Sequence, residues 1–504
     1  MAWTGGAQFV TQAFSIVTTI VLPRFLQPSE FGVVAMANIV VGLINIINGL
    51  GLGAAIIQKP DLKNEHLNSV FVANLVLGTI LCALLASTAS AVAVFYNTPQ
   101  VEPVLIVLSL TFLMGGLSAT HGVLLSKQMQ YRSLALIMLF SAFLQATTAV
   151  TLAVAGYGSW ALVVGQLISS VATSLGFWVT TRWVPRLEFN IQAFGELFKF
   201  GVNVLGATIT GYASANIDNL VVGKFLGSAA LGYYDLAFRW AALPRQKLLG
   251  IVHQVMFPAF STFQNDNQRL RLAYTKLLKY ISLLTFPASV GLMIITPDLI
   301  RLIYTDTWAL AVVPLQILCG GSLIASIGFP MGIILKSKGR PDLEFKMTII
   351  SILLLGLLLL VGLRFGLIGV ALAVSLKSFI LIWLFGATTN RLIELDFSVY
   401  LGAFRPASRA TLIMAIMLIL FQSLLNSSTG LPAVIATASL VLLGFLTYVL
   451  ALKWFEPAHW VELIHMLERS LPRLPLGDKV WQLVKLRGFG NSQLQGRTID
   501  EGRK

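Results

Sequence analysis

Ionisable side chains in the middle of apolar runs are where this sequence could do chemistry. Asp218 lies in the polar stretch YASANIDN inside an otherwise membrane-like segment. Arg239, Arg245 and Lys247 follow in the next run, and Lys377 stands midway along a later one. Arg24 and Lys224 lie at the ends of two more. A charge at the bilayer centre costs at least about 2.5–3.5 kcal/mol on insertion scales, so such residues face protein or a water-filled interior. Guanidinium and ammonium groups gathered in a low dielectric suit a phosphate or pyrophosphate. The expectation is a cationic cavity between two lobes of the bundle, with Arg239 and Lys377 as its leading candidates.

Other readings stand beside that one. Arg24 and Lys224 could snorkel from span ends to the interface. Arg239 and Lys247 are eight residues apart, close to two turns, and share a helix face; Lys247 fits an interfacial position. Asp218 has two readings: a buried partner that pairs with Arg239, or a carboxylate that couples transport to a proton or cation.

The elements that must position these residues follow from composition. Of 504 residues, 56% are hydrophobic and 11% are charged, against about 25% charged in soluble domains. Mean hydropathy is +0.82. This is an integral membrane protein; a soluble enzyme, a DNA-binding factor and a secreted disulfide scaffold are excluded. Cys82 and Cys319 sit in apolar runs and read as small hydrophobes. The net charge of +14 fits loop residues that set topology better than a nucleic-acid partner.

Runs of spanning length cover 5–26, 31–57, 68–95, 102–125, 134–156, 159–181, 200–222, 229–250, 278–297, 309–335, 345–363, 366–388, 408–426 and 431–452. The first lacks the basic start and small-residue cleavage site of a signal peptide, and reads as a span. The weakest are 200–222 and 229–250, which carry Asn203, Asn216, Asp218, Asn219, Asp235 and Arg239. With a cytoplasmic N-terminus, every second gap is cytoplasmic. Those gaps hold roughly 18 lysines and arginines, while the others hold Arg24, Lys224, Arg301 and Arg364. The tail adds about nine more basic residues on the same side. An even number of spans, with both termini cytoplasmic, accounts for this alternation. Residues 454–471, WFEPAHWVELIHMLERSL, read as an amphipathic helix at the inner surface, followed by a flexible end.

The chain also repeats itself. IVLPRFLQPSEFGVVAMA at 20–37 matches LVVGKFLGSAALGYYDLA at 220–237, placing Arg24 on Lys224, Gly32 on Gly232 and Ala37 on Ala237. Ser126-Lys127 matches Ser337-Lys338, and Gly158 matches Gly366. The shift is six helices, an even number, so both copies point the same way through the bilayer. The expected fold is an all-α polytopic membrane protein of about fourteen transmembrane helices. It has two six-helix lobes in parallel repeat, 1–182 and 183–390, two additional spans in 391–453, and a cytoplasmic helix and tail in 454–504. Pro23, Pro244, Pro258, Pro287, Pro314 and Pro330 would bend helices within or beside these runs.

No Walker A, HExxH, GxSxG or TVGYG sequence occurs, and the first outward loop offers one carboxylate, Glu30. P-loop ATP hydrolysis, zinc hydrolysis and a potassium filter are not expected. Nor is a glycan polymerase, which would want a large outward loop. No residue is expected to be catalytic, and no metal or cofactor is expected. The positive evidence points to a carrier.

LPRFLQPSEFGVVAMANIVVGLINIINGLGLGAAIIQ closely resembles the opening of the bacterial polysaccharide transporters in the multidrug/oligosaccharidyl-lipid/polysaccharide exporter superfamily. NIDNLVVGKFLGSAALGYYDLAFRWAALP looks like that family's second-lobe opening, and ILKSKGRPD is similar to the segment before its eleventh span. The resemblance covers about 5–450 and is nearest the O-antigen and colanic-acid exporter type. It implies translocation of an undecaprenyl-pyrophosphate-linked oligosaccharide to the outer leaflet of the inner membrane by alternating access. Membrane lipids, and polysaccharide polymerase and ligase proteins, are the implied partners. It carries over Arg24, Lys59, Asp218, Lys224, Arg239 and Arg245 as residues near the central cavity. A drug or cation antiporter of the same superfamily is one alternative, but it would want acidic groups where bases predominate. A non-transporting scaffold is the other, and it leaves the polar seventh and eighth spans without a purpose.

Overall fold

The computed structural model describes residues 18–49, 52–59, 61–427 and 433–455, with isolated positions at 11, 14 and 457. Most of the first expected span, and nearly all of the expected tail helix and flexible end, lie outside the described residues. Apolar runs in a bilayer have no water to satisfy backbone groups, so a helix, which pairs them internally, is the form open to them. Every regular element among the described residues is helical.

In the first half these are α1 (Pro28–Gly49), α2 (Leu52–Gln58), α3 (Asn64–Tyr96), α4 (Val101–Lys127), α5 (Tyr131–Val154) and α6 (Trp160–Thr181). The second half holds α7 (Ile191–Thr262), α8 (Asn267–Ile303), α9 (Val312–Ser337), α10 (Pro341–Gly362) and α11 (Gly366–Ile393). The short α12 (Phe397–Gly402) then leads to α13 (Arg405–Ser427) and α14 (Ala433–Phe455). Among the described residues, ten segments are long and apolar enough to cross a membrane. One of them, Pro341–Ile393, contains both α10 and α11, parted by a single 3-10 turn. The polar pair 200–222 and 229–250 is not among the ten.

That pair is α7, and it is broken where the sequence expects a gap. Gly227 has φ 86° and ψ 179°, a conformation that only glycine adopts without strain. The segments before and after it fold back on each other, because Tyr234 reaches Asp218 across the break. The equivalent break in the first half precedes α1. There Pro28 opens the helix, and the Glu30 carboxylate accepts from the Gln27 N–H at 2.7 Å, a capped start of the usual kind.

The duplication is written in backbone geometry as well as in sequence. Six of the nine positive-φ positions among the described residues form equivalent pairs: Met129 (φ 55°) with Gly339 (φ 69°), Gly158 (φ 57°) with Gly366 (φ 61°), and Arg182 (φ 49°) with Glu394 (φ 56°). The matched lysines do the same job. Lys127 Nζ donates to the carbonyls of Ile56 and Lys59 at 2.7 and 2.6 Å. Lys338 Nζ donates to the Gln264 carbonyl at 2.7 Å and to Asn267 Oδ1 at 2.8 Å. Each ties the end of one helix to the turn that precedes its neighbour.

Packing follows the same repeat. In the first half α3 packs on α4, α4 on α6 and α5 on α6; in the second, α8 packs on α9, α9 on α11 and α10 on α11. The halves meet through α1 and α7. One core runs across both, from Met36 and Leu105 to Trp308 and Leu315. A second core joins α8 to α13 and α14, so the two added helices are mounted on the second half.

Candidate functional site

The two ends of the bundle differ. One carries the turns at 59–63, 128–130, 182–190, 263–266, 338–340 and 394–396, and is rich in lysine and arginine. The opposite end carries 97–100, 155–159 and 304–311, and there the halves are clasped together by reciprocal contacts. Arg24, from the first half, donates from Nε to the Ile303 carbonyl at 2.7 Å and from Nη2 to the Leu302 carbonyl at 3.2 Å. Lys224, its repeat partner, donates to the Phe95 carbonyl and lies 4.8 Å from the Phe95 ring. Each cation therefore caps the C-terminal end of the other half's equivalent helix, α8 or α3, where unsatisfied carbonyls concentrate.

Beside this clasp the backbones touch. A Cβ built on Gly32 would lie 1.7 Å from the Ser228 carbonyl oxygen, and one on Gly232 would lie 1.9 Å from the Pro28 carbonyl oxygen. The two contacts are the same contact, shifted by 200 residues. Small residues four apart let helix backbones approach this closely in membranes. Trp308 completes the seal. It is wholly buried, donates from Nε1 to the Pro23 carbonyl at 2.9 Å, and meets Phe31 edge-on at 5.4 Å. Tyr304 donates to the Thr19 carbonyl at 3.0 Å and accepts from Trp240 Nε1 at 2.8 Å.

The cationic cavity lies elsewhere, and not between the lobes as expected: every residue that lines it belongs to the second half. It has a volume of about 430 Å³ and is lined by both segments of α7 with α9, α10 and α11, within the range typical of ligand sites. Asp218, Arg245 and Lys377 all line it, with Ser214, Gln246 and Ser378. Asp218 is 3% exposed. Its Oδ2 accepts from the Tyr234 hydroxyl at 2.7 Å and its Oδ1 from the Asn219 N–H at 3.0 Å. Arg245 Nε is buried without a hydrogen-bond partner among the described residues. No ion pair within 4 Å joins either cation to a carboxylate among the described residues. The cavity thus holds two cations and one carboxylate already engaged by a neutral phenol.

The expected site residues divide accordingly. The structure brings Asp218, Arg245 and Lys377 together. Arg24 and Lys224 belong to the clasp. Lys59 lies in the turn between α2 and α3, where its carbonyl receives Lys127. Arg239 pairs with Asp235 at 2.7 Å, one turn back on the same helix, and its side chain is 59% exposed. Its expected pairing with Asp218 is therefore not formed: a neighbour four residues away outcompetes one across a helix break. Tyr234 is the partner of Asp218 that sequence reasoning misses. It reads as an apolar-run aromatic, and nothing local announces that the Gly227 break will fold it onto Asp218.

Charge in this cavity is a departure from the repeat. With the offset of 200, Asp218, Tyr234 and Arg245 fall on Thr18, Val34 and Asn45. None of these three equivalents is ionisable.

A two-lobed helical bundle with a charged cavity inside one lobe is the architecture of a polytopic membrane transporter. The fold matches the lipid II flippase MurJ in an inward closed conformation, with a TM-score of 0.73 at 18% identity, over 92% of this chain and 100% of that one. The sequence profile of the polysaccharide biosynthesis protein family matches residues 21–313, and the chain belongs to that family. It is 26% identical over 381 residues to the lipopolysaccharide biosynthesis protein WzxC of Escherichia coli K12, covering 75% of this chain and 77% of WzxC. It is 29% identical over 313 residues to the succinoglycan biosynthesis transport protein ExoT of Rhizobium meliloti, covering 62% and 63% respectively.

Proposed function

We propose that this protein is a flippase that moves undecaprenyl-pyrophosphate-linked oligosaccharide units across the cytoplasmic membrane for lipopolysaccharide or exopolysaccharide assembly. The observation that carries the reading is the cavity itself. Two cations, Arg245 and Lys377, share a cavity with a single carboxylate, Asp218, in a chain of the polysaccharide biosynthesis family. A pyrophosphate supplies the missing negative charge, and charge-assisted bonds are the stronger kind. A drug cation would meet two like charges. The names of WzxC and ExoT support a polysaccharide substrate.

In this reading both termini and the lysine-rich end are cytoplasmic. Residues 1–182 and 183–390 are the lobes that rock, and 391–453 supply two further spans. The clasp seals the outer end while the cavity receives substrate from inside. Alternating access opens the clasp and closes the lysine-rich end. The cavity is large enough for the pyrophosphate and the first sugars; the lipid stays in the bilayer. The protein transports without chemical conversion, and polymerase and ligase proteins act on what it delivers.

Asp218 is the coupling group, because it is a buried carboxylate held beside both cations. Asp218→Asn keeps the shape and the Tyr234 contact while removing the charge. In vesicles of purified protein, it should abolish gradient-driven uptake of lipid-linked oligosaccharide while leaving downhill exchange. Full gradient-driven uptake by Asp218→Asn would refute the assignment.

A further inference from the structure

Three consecutive residues in the second segment of α7 reach three different parts of the molecule. Neighbouring side chains on a helix point about 100° apart, so a single turn can do this. Gly232 lies against the Pro28 carbonyl of the first half. Tyr233 meets Trp308 edge-on, with ring centres 5.9 Å apart, and Trp308 seals the outer end through its bond to the Pro23 carbonyl at 2.9 Å. Tyr234 turns inward and donates to Asp218 Oδ2 at 2.7 Å. It is wholly buried, its ring stacks on Phe238 at 6.2 Å, and it is not among the residues that line the cavity. One helical turn therefore touches the clasp, the seal and the cavity carboxylate at once.

A hinge stands beside that turn. Gly227, five residues before Gly232, has φ 86° and open space around its Cβ position. The Tyr234–Asp218 bond spans this break and joins the two segments of α7 beyond it. Asp218 is 3% exposed, and a buried carboxylate that loses a donor is left with an unmet desolvation cost. Swinging the second segment away from the first is therefore opposed while the bond is whole. The repeat supplies no such bond in the first half, where Val34, without a polar side-chain atom, stands in the place of Tyr234. The glycine contacts of the clasp are common to both halves, while the link to a charged cavity belongs to one.

We infer that Tyr234 is a positioning residue that ties Asp218 to the outer clasp, so that the charge and partners of the cavity carboxylate set how readily the clasp opens. While Tyr234 donates to the charged Asp218, the first turn of the second segment is held, and Gly232, Pro28 and Trp308 stay together. When Asp218 is neutralised or takes another partner, the bond weakens and the turn moves about Gly227. The inference rests on the alternating-access reading of the clasp; it does not depend on which glycan is carried.

The test reads the clasp directly, in the full-length protein in lipid nanodiscs. Cys82 and Cys319, the two native cysteines, are replaced by alanine. Spin labels are placed at Phe25→Cys and Leu310→Cys, positions 50% and 68% exposed on the first-half and second-half sides of the outer end. The distance distribution between them gives the ratio of open to closed clasp. Tyr234→Phe should raise that ratio at least about tenfold, the loss expected for one bond to a charged group. Asp218→Ala should match it, and the double variant should exceed neither, because both remove the same bond. Asp218→Asn, which keeps a weaker, uncharged acceptor, should fall between wild type and Tyr234→Phe. Tyr448→Phe removes another buried phenol's bond, to the Leu283 carbonyl, and should leave the ratio unchanged. Gly232→Val opens the clasp by steric contact alone and calibrates the open distance. Should Tyr234→Phe fail to fold, Asp218→Ala against Asp218→Asn carries the comparison. A wild-type ratio in Tyr234→Phe or Asp218→Ala, an additive double variant, or an equal rise in Tyr448→Phe each overturns the link while leaving the clasp in place. A wild-type distance in Gly232→Val overturns the clasp itself, and the link with it.

Discussion

Gly32→Val should abolish transport, and Gly232→Val should do the same. A Cβ at either position meets a backbone carbonyl oxygen, 1.7 Å away at Gly32 and 1.9 Å away at Gly232. A backbone oxygen cannot swing aside as a side chain does. Ordinary contact needs about 1.5 Å more, so α1 and α7 must part at this end and the clasp formed by Arg24 and Lys224 opens with them. Overpacking a well-packed contact costs about 1–3 kcal/mol, occasionally more. A shift near the upper end reverses a two-state equilibrium that favours closure by a few kcal/mol. The expected phenotype is at least a tenfold loss for Gly→Ala and a complete loss for Gly→Val, with the cavity now reachable from outside. Because both residues guard one contact, the double alanine variant should be little worse than either single. Gly356→Ala, with nothing within 4 Å of its added Cβ, is the matched control. Cysteine labelling of Ser322→Cys by an impermeant maleimide reads the access. Wild-type transport by Gly32→Val and Gly232→Val would show that closure of this end is not required.

The second large effect concerns the cavity cations. Arg245→Gln and Lys377→Gln each remove one charge-assisted partner of the proposed pyrophosphate. Hydrogen bonds to charged groups contribute about 1.5–3 kcal/mol, so each variant should lower transport efficiency by roughly ten- to a hundredfold. Lys377→Arg should keep most activity; Arg245→Lys should keep less, since a fork-shaped donor is replaced by a point charge. Lys377 also balances the buried Asp218. Lys377→Met should therefore cost stability through an uncompensated carboxylate, and Asp218→Asn in the same chain should recover stability without recovering transport. That split between thermal midpoint and transport separates a substrate role from a structural one. A variant lacking both cations that transports at the wild-type rate would remove the cavity from the mechanism.

Much of this architecture is legible in the residues. Spanning runs, the loop charges and the repeat all rest on local pattern, and local pattern survives folding. The gap between 222 and 229 becomes the Gly227 break, because a left-handed residue must sit there and glycine supplies it. Arg24 and Lys224 are found as equivalents, but their task is not visible. A reciprocal contact depends on how two halves face each other, which neither copy states alone. Asp218 is recognisable as buried, yet its partner Tyr234 is brought to it by a backbone reversal. Arg239 teaches the opposite lesson. Asp235 stands four residues before it, a spacing that helical geometry alone puts on one face, and it is a surer guide than a distant carboxylate.

The central claim is that lipid-linked oligosaccharide crosses the membrane through the cavity of Asp218, Arg245 and Lys377. The most direct measurement is the leaflet distribution of these lipids in host cells that lack the gene, with and without complementation. The predicted result is accumulation in the inner leaflet, reversed by the wild-type gene and not by the Arg245→Gln, Lys377→Gln double variant at equal membrane abundance. A normal distribution in the deletion strain would contradict flipping, and full reversal by the double variant would contradict the cavity.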